Sequence, residues 1–319
     1  MSGLRFAIIG AGGVGGFFGA QLHKGGVDVR FLARGKHYEA IKRNGLTVLT
    51  GGTTIRVPET SVTDSPSRIG TADVILFCVK SYDTESAARE IAPAVHDRTV
   101  IISLQNGVQN EEVIQKVLPT GMVFGGVAYI YATITEPGTI TEWGGPKKIV
   151  FGPLRKDVQQ RDIGMNILQA MTGSGIDAEY TDDIQVALWS KFIFITAVGG
   201  ITALTRLTLG QILNAPETHD LLRSAMLESL AVATAAGITV PPTFVDDSFA
   251  RLAKFDNNSR SSLYVDLAGG RRMEIDALSG TIVRFGQRYG VPTPIHSLVY
   301  AALVPHHRLA MEHAAQKNH

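Results

Sequence analysis

Phe6-Ala7-Ile8-Ile9-Gly10-Ala11-Gly12-Gly13-Val14-Gly15 decides the class of this chain. Four consecutive apolar residues fit a strand buried on both faces. The glycines after them fit G-x-G-x-x-G, and Val14 to Gly25 reads as a helix. In that strand–turn–helix setting the glycines have separate tasks. Gly10 permits the tight turn, Gly12 lets backbone approach a pyrophosphate, and Gly15 lets helix and strand pack closely. Gly13 and Val14 fall at the helix start, where unpaired N–H groups and partial positive charge suit phosphate.

Working outward, Val27–Leu32, Asp73–Val79 and Val100–Leu104 read as further strands. Helices are expected at His37–Asn44, before Pro93 and at Asn110–Val117. This βαβα rhythm implies a parallel sheet with helices on both faces. Leu46–Leu49 and Thr54–Val57 flank Gly51-Gly52, a hairpin signal. From Gly121 the pattern turns β-rich, with runs at Val123–Ile134, Thr139–Trp143 and Ile149–Phe151. A helix at Asp157–Met171 and a strand at Ile176–Tyr180 follow. Beyond Thr181-Asp182-Asp183 only helices are expected: Ile184–Val198, Ala215–Ala236, Thr243–Lys254, Ser261–Ala268, Met273–Tyr289 and Thr293–His313. The expected architecture is α/β: an N-terminal Rossmann-like, doubly wound domain (1–182) and an all-helical C-terminal domain (183–319).

Composition narrows the function classes. A chain of 319 residues has room for two cores. Its 30 Lys+Arg and 29 Asp+Glu give a net charge of +1, which removes the main reason to expect nucleic acid. A charged fraction of 18% beside 45% apolar residues argues against disorder. Cys78 is the sole cysteine, so neither a disulfide framework nor a multi-thiolate metal site is expected. Between Asp183 and Arg206 the only charge is Lys191, over 22 residues of membrane-spanning length. Polar residues and two glycines dilute the run, so it reads as a buried core helix. Leu4 to Ile9 is too short for a signal sequence, and cytoplasm is the expected location.

The end of the second strand selects the dinucleotide. An NAD site usually places Asp or Glu there for the ribose 2′-OH. Here the chain reads Phe31-Leu32-Ala33-Arg34-Gly35-Lys36, with Arg34 19 residues after Gly15. A guanidinium suits a 2′-phosphate, so NADP(H) is expected, the bland alternative being that Arg34 and Lys36 are merely solvated. Lys80 and Asn106 follow two strands at their carboxyl ends, where ligands of open α/β sheets bind, although a surface lysine or an Asn-Gly turn would look the same. Lys191, in Trp189-Ser190-Lys191-Phe192-Ile193, is the outstanding proton donor. Desolvation lowers a lysine pKa toward neutrality; the bland alternative is an ammonium that snorkels to the surface. Glu274 precedes Ile275, Leu278, Ile282 and Phe285 at helical spacing and borders that face. It is a candidate partner for Lys191, or a simple ion pair with Arg271 or Arg272. Ser262 is either a helix cap or a hydroxyl for a substrate carboxylate.

Taken in order, these stretches resemble the ketopantoate reductase (2-dehydropantoate 2-reductase) family. The likeness runs from the glycine loop and Arg34 through Cys78-Val79-Lys80, Leu104-Gln105-Asn106-Gly107, Leu188-Trp189-Ser190-Lys191-Phe192 and Ile201-Thr202-Ala203-Leu204 to the stretch from Ser261-Ser262 through Arg271-Arg272-Met273-Glu274-Ile275-Asp276. The resemblance implies a helical domain like that of 6-phosphogluconate dehydrogenases. It also implies NADPH-dependent reduction of ketopantoate to (R)-pantoate, in pantothenate and coenzyme A synthesis. Lys191 then matches the catalytic acid and Glu274 the acidic residue near it and the nicotinamide. Ser262 matches the serine holding the substrate carboxylate, and Asn106 the asparagine contacting cofactor and substrate. Arg34 and Lys80 match cofactor-binding positions. The family pattern carries Asn four and eight residues after the lysine, where this chain has Ile195 and Gly199. A less polar 2-oxo acid is therefore an alternative substrate, with Thr196 or Thr202 as compensating groups. A non-catalytic NADPH-binding sensor is a further alternative. The apolar helical domain could bury surface in a homodimer.

Overall fold

The computed structural model describes residues 3–316; Met1, Ser2 and 317–319, the outer ends of the two expected domains, lie outside them. The chain forms two compact units. One comprises residues 1–105 and 109–187, the other residues 106–108 and 188–319.

The first unit runs β1 (Arg5–Ile9), α1 (Gly13–Lys24), β2 (Asp28–Leu32), α2 (Gly35–Asn44), β3 (Leu46–Thr50), β4 (Thr53–Val57), β5 (Val62–Thr63), β6 (Val74–Phe77), α3 (Thr84–Ile91), β7 (Val100–Ser103) and α4 (Asn110–Val117). It continues with β8 (Met122–Tyr129), β9 (Ala132–Glu136), β10 (Thr139–Glu142), β11 (Lys148–Pro153), α5 (Val158–Gly173) and β12 (Asp177–Tyr180). Eight strands form the main sheet in the order β12-β11-β8-β7-β6-β1-β2-β5. Every neighbouring pair in it is parallel except β8 with β11. Its Rossmann-like core is therefore the doubly wound arrangement expected.

The expected single run Val123–Ile134 is broken. The chain leaves the main sheet after Tyr129 and enters a second sheet of order β4-β3-β10-β9. Burial explains the break. Six consecutive residues of β8 are buried, as in a strand covered on both faces, whereas β9 is mostly exposed. Helix α1 contacts strands of both sheets. Its Phe17 and Phe18 share one apolar core with Ile8 and Phe31 of the main sheet and Val48 and Ile140 of the small one.

The second unit is built from α6 (Ile184–Thr205), α7 (Leu209–Asn214), α8 (Pro216–Ala235), α9 (Phe244–Leu252), α10 (Ser262–Ala268), α11 (Ser279–Tyr289) and α12 (Pro294–Gln316). Helix α6 is long and apolar enough to cross a membrane, yet 61% of its most apolar window is buried inside the protein. Phe192, Ile193, Ala197 and Ile201 anchor it in the helical core. It runs past Val198, its expected end, through Gly199-Gly200. A Cβ on Gly200 would lie 2.9 Å from Val299, so glycine permits close approach of α12.

The expected helix Met273–Tyr289 starts only at Ser279. Met273, Glu274 and Ile275 are all buried, which one face of a helix cannot do for three successive residues. Instead the Met273 N–H donates to His307 Nδ1 (3.0 Å), and the Leu278 N–H donates to the Glu274 carbonyl (3.0 Å) in a turn.

A buried carboxyl carries a stability cost in the first unit. Glu111, in the first turn of α4, is 3% exposed and its Oε1 has no hydrogen-bond partner. Desolvation pushes its pKa up to about 7. A raised folded-state value means the contribution is intact below the unfolded value of 4.5 and is lost as pH rises through about 7. Thermal melts of Glu111→Gln should therefore gain on the wild type between pH 5 and pH 8, to ~2–4 °C. A constant difference across that range contradicts this reading.

Candidate active site

The first unit holds the expected dinucleotide residues. Gly10 has φ +98°, and a Cβ there would come within 3.0 Å of the Cys78 and Val79 backbone. At Gly15 a Cβ would strike the Gly10 carbonyl at 2.2 Å. At Gly13 it would strike the Ala132 carbonyl at 2.1 Å, so Gly13 serves the packing of β9 on α1, a role invisible in the motif. Gly12 differs: nothing lies within 4 Å of its Cβ direction. It is the N-cap of α1 and supplies no side-chain cap, so first-turn N–H groups, Val14 among them, carry no side-chain acceptor. An open glycine before uncapped amides fits a pyrophosphate.

The loop is buttressed by His37, which sequence reasoning missed. The Gly138 N–H donates to its Nδ1 (3.0 Å), so the ring proton sits on Nε2 and donates to the Ala11 carbonyl (3.0 Å). Burial lowers the His37 pKa, favouring this neutral ring. Its partners lie 26 and 101 residues away, so no local pattern announces it.

Arg34 is exposed at the N-cap of α2 and pairs with Glu90 of α3. An exposed pair of this kind is worth only ~0–1 kcal/mol, so a phosphate dianion can take the guanidinium over. Lys80 is exposed three residues past β6, at the carboxyl end of the parallel strands. Cys78 is held as a thiol, because burial pushes its pKa upward.

Four candidates belong to the second unit. Lys191 lies two turns into α6 and is partly exposed. Desolvation lowers its pKa to about 8, and the Glu274 carboxylate opposes the fall. Glu274 is 6% exposed. Asn106 Nδ2 points at Glu274 Oε2 from 3.5 Å, the outer limit of a hydrogen bond. Arg271 takes no part: its guanidinium donates to Asp266 Oδ1 (2.9 Å) and to the Val265 carbonyl. The structure thus gathers Lys191, Glu274 and Asn106, with Glu274 delivered by a turn instead of the expected helix.

Ser262 stands exposed as the first residue of α10. The cap is its neighbour. Ser261 Oγ accepts from the Tyr264 N–H (3.0 Å) and from Thr202 Oγ1 (2.6 Å). Capping thus leaves the Ser262 hydroxyl uncommitted to the helix start. A second cap escaped the sequence reading: Thr208 and Gln211 form a reciprocal capping box that starts α7, and Thr-x-x-Gln was its signal.

A dinucleotide-type α/β unit followed by a helical unit with a desolvated lysine beside a buried carboxylate is the design of a nicotinamide-dependent oxidoreductase. The chain belongs to the ketopantoate reductase PanE/ApbA family: the family matches residues 6–156, and its C-terminal part matches residues 183–306. It is 30% identical over 293 residues to a 2-dehydropantoate 2-reductase of Halobacterium salinarum, covering 92% of this chain and 95% of the relative. Among solved structures it is similar to a PanE/ApbA family ketopantoate reductase from Ralstonia eutropha JMP134. That match has a TM-score of 0.88 and 32% identity, over 97% of this chain and all of the other. A 2-dehydropantoate 2-reductase from Geobacter metallireducens GS-15 gives 0.86 and 31%, over 95% and 99% of the two chains.

The two serines separate by experiment. Ser261→Ala should cost about 1 kcal/mol of stability in denaturant unfolding, the usual loss of a helix cap. Ser262→Ala should stay within ~0.5 kcal/mol of wild type. The reverse order would assign the cap to Ser262.

Proposed function

We propose that this chain is an NADPH-dependent reductase that converts a 2-oxo acid to the 2-hydroxy acid, ketopantoate to pantoate being the reaction its relatives suggest. The observation that carries the proposal is Lys191, desolvated on an apolar helix with the buried Glu274 carboxylate as its charge partner and Asn106 3.5 Å from that carboxylate.

In this reading Gly10, Gly12, Gly13, Val14 and Gly15 cradle the pyrophosphate. Arg34 takes the 2′-phosphate, and Lys80 adds charge at the strand ends. Bound NADPH supplies a hydride to the ketone carbon. The protein must then manage the charge that develops on the ketone oxygen. Lys191 Nζ donates a hydrogen bond to that oxygen and transfers its proton as the alkoxide forms. A pKa of about 8 leaves Lys191 ~90% protonated at pH 7, yet a better donor than an ordinary lysine. Glu274 keeps the ammonium charged and in place. Asn106 orients Glu274 and reaches the reacting groups, and the Ser262 hydroxyl donates to the substrate carboxylate. Lys191 regains its proton from water, to which it is partly open.

Three measurements test the proposal. NADPH should be oxidised in the presence of a 2-oxo acid, ketopantoate or a close analogue, and Lys191→Ala should lower kcat/KM by ~10²–10⁴-fold. The acid form of Lys191 is required, so kcat/KM should be level near pH 6–7 and fall tenfold per pH unit above about 8. A profile rising through that range would assign Lys191 the opposite role. Arg34→Ala should reduce the preference for NADPH over NADH by ~10–100-fold, the worth of a charged hydrogen bond. An unchanged preference overturns the 2′-phosphate assignment.

A further inference from the structure

The substrate's side chain meets a surface of α6 whose chemistry can be read residue by residue. Lys191, Ile195, Val198 and Thr202 stand at i, i+4, i+7 and i+11, one stripe along the helix. At its far end Thr202 touches Ser261, so the stripe runs from the ammonium to the start of α10, where Ser262 stands. The ketone and carboxylate of a 2-oxo acid are on adjacent carbons, so with the ketone on Lys191 and the carboxylate on Ser262 the side chain is the substituent left to face α6. The residues it would face are Ile195, Val198 and Gly199. Ile195 and Val198 are partly exposed; Gly199 is buried, and a Cβ there would meet Leu263 at ordinary contact distances of 3.7 and 3.8 Å.

None of the hydroxyls that follow Lys191 on α6 is offered to a ligand. Thr196 Oγ1 has no hydrogen-bond partner, but the residue is 0% exposed, on the core side of the helix and off the stripe. The single Thr202 hydroxyl proton is shared between the Val198 carbonyl (2.7 Å) and Ser261 Oγ (2.6 Å), and Ser261 in turn is used by the cap. Thr205 donates to the Ile201 carbonyl and accepts from the Leu207 N–H. The compensation that Thr196 or Thr202 offered in the sequence is therefore not made. A hydroxyl on the substrate side chain would lose water here and find no accessible hydroxyl among those that follow Lys191 on α6, which is costly.

We infer that the preferred substrate carries an apolar, branched or aromatic side chain on its 2-oxo acid, and that Ile195 and Gly199 set this preference. The inference rests on the reductase reading above and specifies its substrate. A matched pair of acids tests it. Ketopantoate is 3,3-dimethyl-2-oxobutanoate with one added hydroxyl, so the two differ only in the group at issue. NADPH oxidation should show kcat/KM higher for 3,3-dimethyl-2-oxobutanoate by ~10–100-fold, the range over which an apolar pocket rejects an added hydroxyl. Gly199→Asn, whose Cβ would meet Leu263 at ordinary contact distance, should shift the ratio toward ketopantoate by tenfold or more, whereas Gly199→Ala, which adds volume alone, should not. Equal or greater efficiency with ketopantoate in the wild-type enzyme overturns the inference and leaves the reductase reading standing. Turnover of neither acid overturns the reductase reading and the inference with it.

Discussion

A single cation in an oily helix sets the terms for the second unit. Lys191 interrupts the apolar run of α6, and its ammonium loses hydration that the protein only partly restores. Burying a lone charge is costly enough that a lysine would ordinarily neutralise or turn outward. Glu274 prevents full neutralisation, and the balance leaves a cation on the edge of giving up its proton. That constraint explains why the chain gives up helix at Met273–Leu278. A turn there buries Glu274 between Met273 and Ile275, and His307 fixes the turn through the Met273 N–H.

The first unit solves a different problem, which is to bring bare backbone to an anion. Close packing forces glycine at positions 10, 13 and 15, and openness marks position 12. The small sheet has a part in this. Through Ala132 and Ile140 it presses on α1 at Gly13 and Gly16, and through Gly138 it orients His37 against the Ala11 carbonyl. The second sheet thus acts as a brace for the loop.

Much of this was legible in the chain because it is local. The glycine loop, the βαβα rhythm and the hairpin at Gly51-Gly52 depend on neighbours within a few residues. Lys191 stood out because charge inside an apolar run is rare. What stayed hidden depends on contacts distant in sequence. The crossing at Ile130-Tyr131 is set by which sheet covers each segment, and β-rich composition is the same on both sides. Glu274 was found on the correct side of the right residues but assigned to a helix, since Ile275, Leu278 and Ile282 mimic helical spacing. The cap at α10 falls to Ser261, which also bonds Thr202, 59 residues away. The Arg34–Glu90 pair likewise joins elements that no periodicity connects.

The account turns on the acidity of one side chain, which nuclear magnetic resonance can titrate directly at the Lys191 side-chain nitrogen in the folded protein. A midpoint near pH 8, moving lower in Glu274→Gln as the opposing carboxylate charge is removed, is the expected result. A midpoint at the ordinary lysine value of 10.5, unmoved by that substitution, would contradict it.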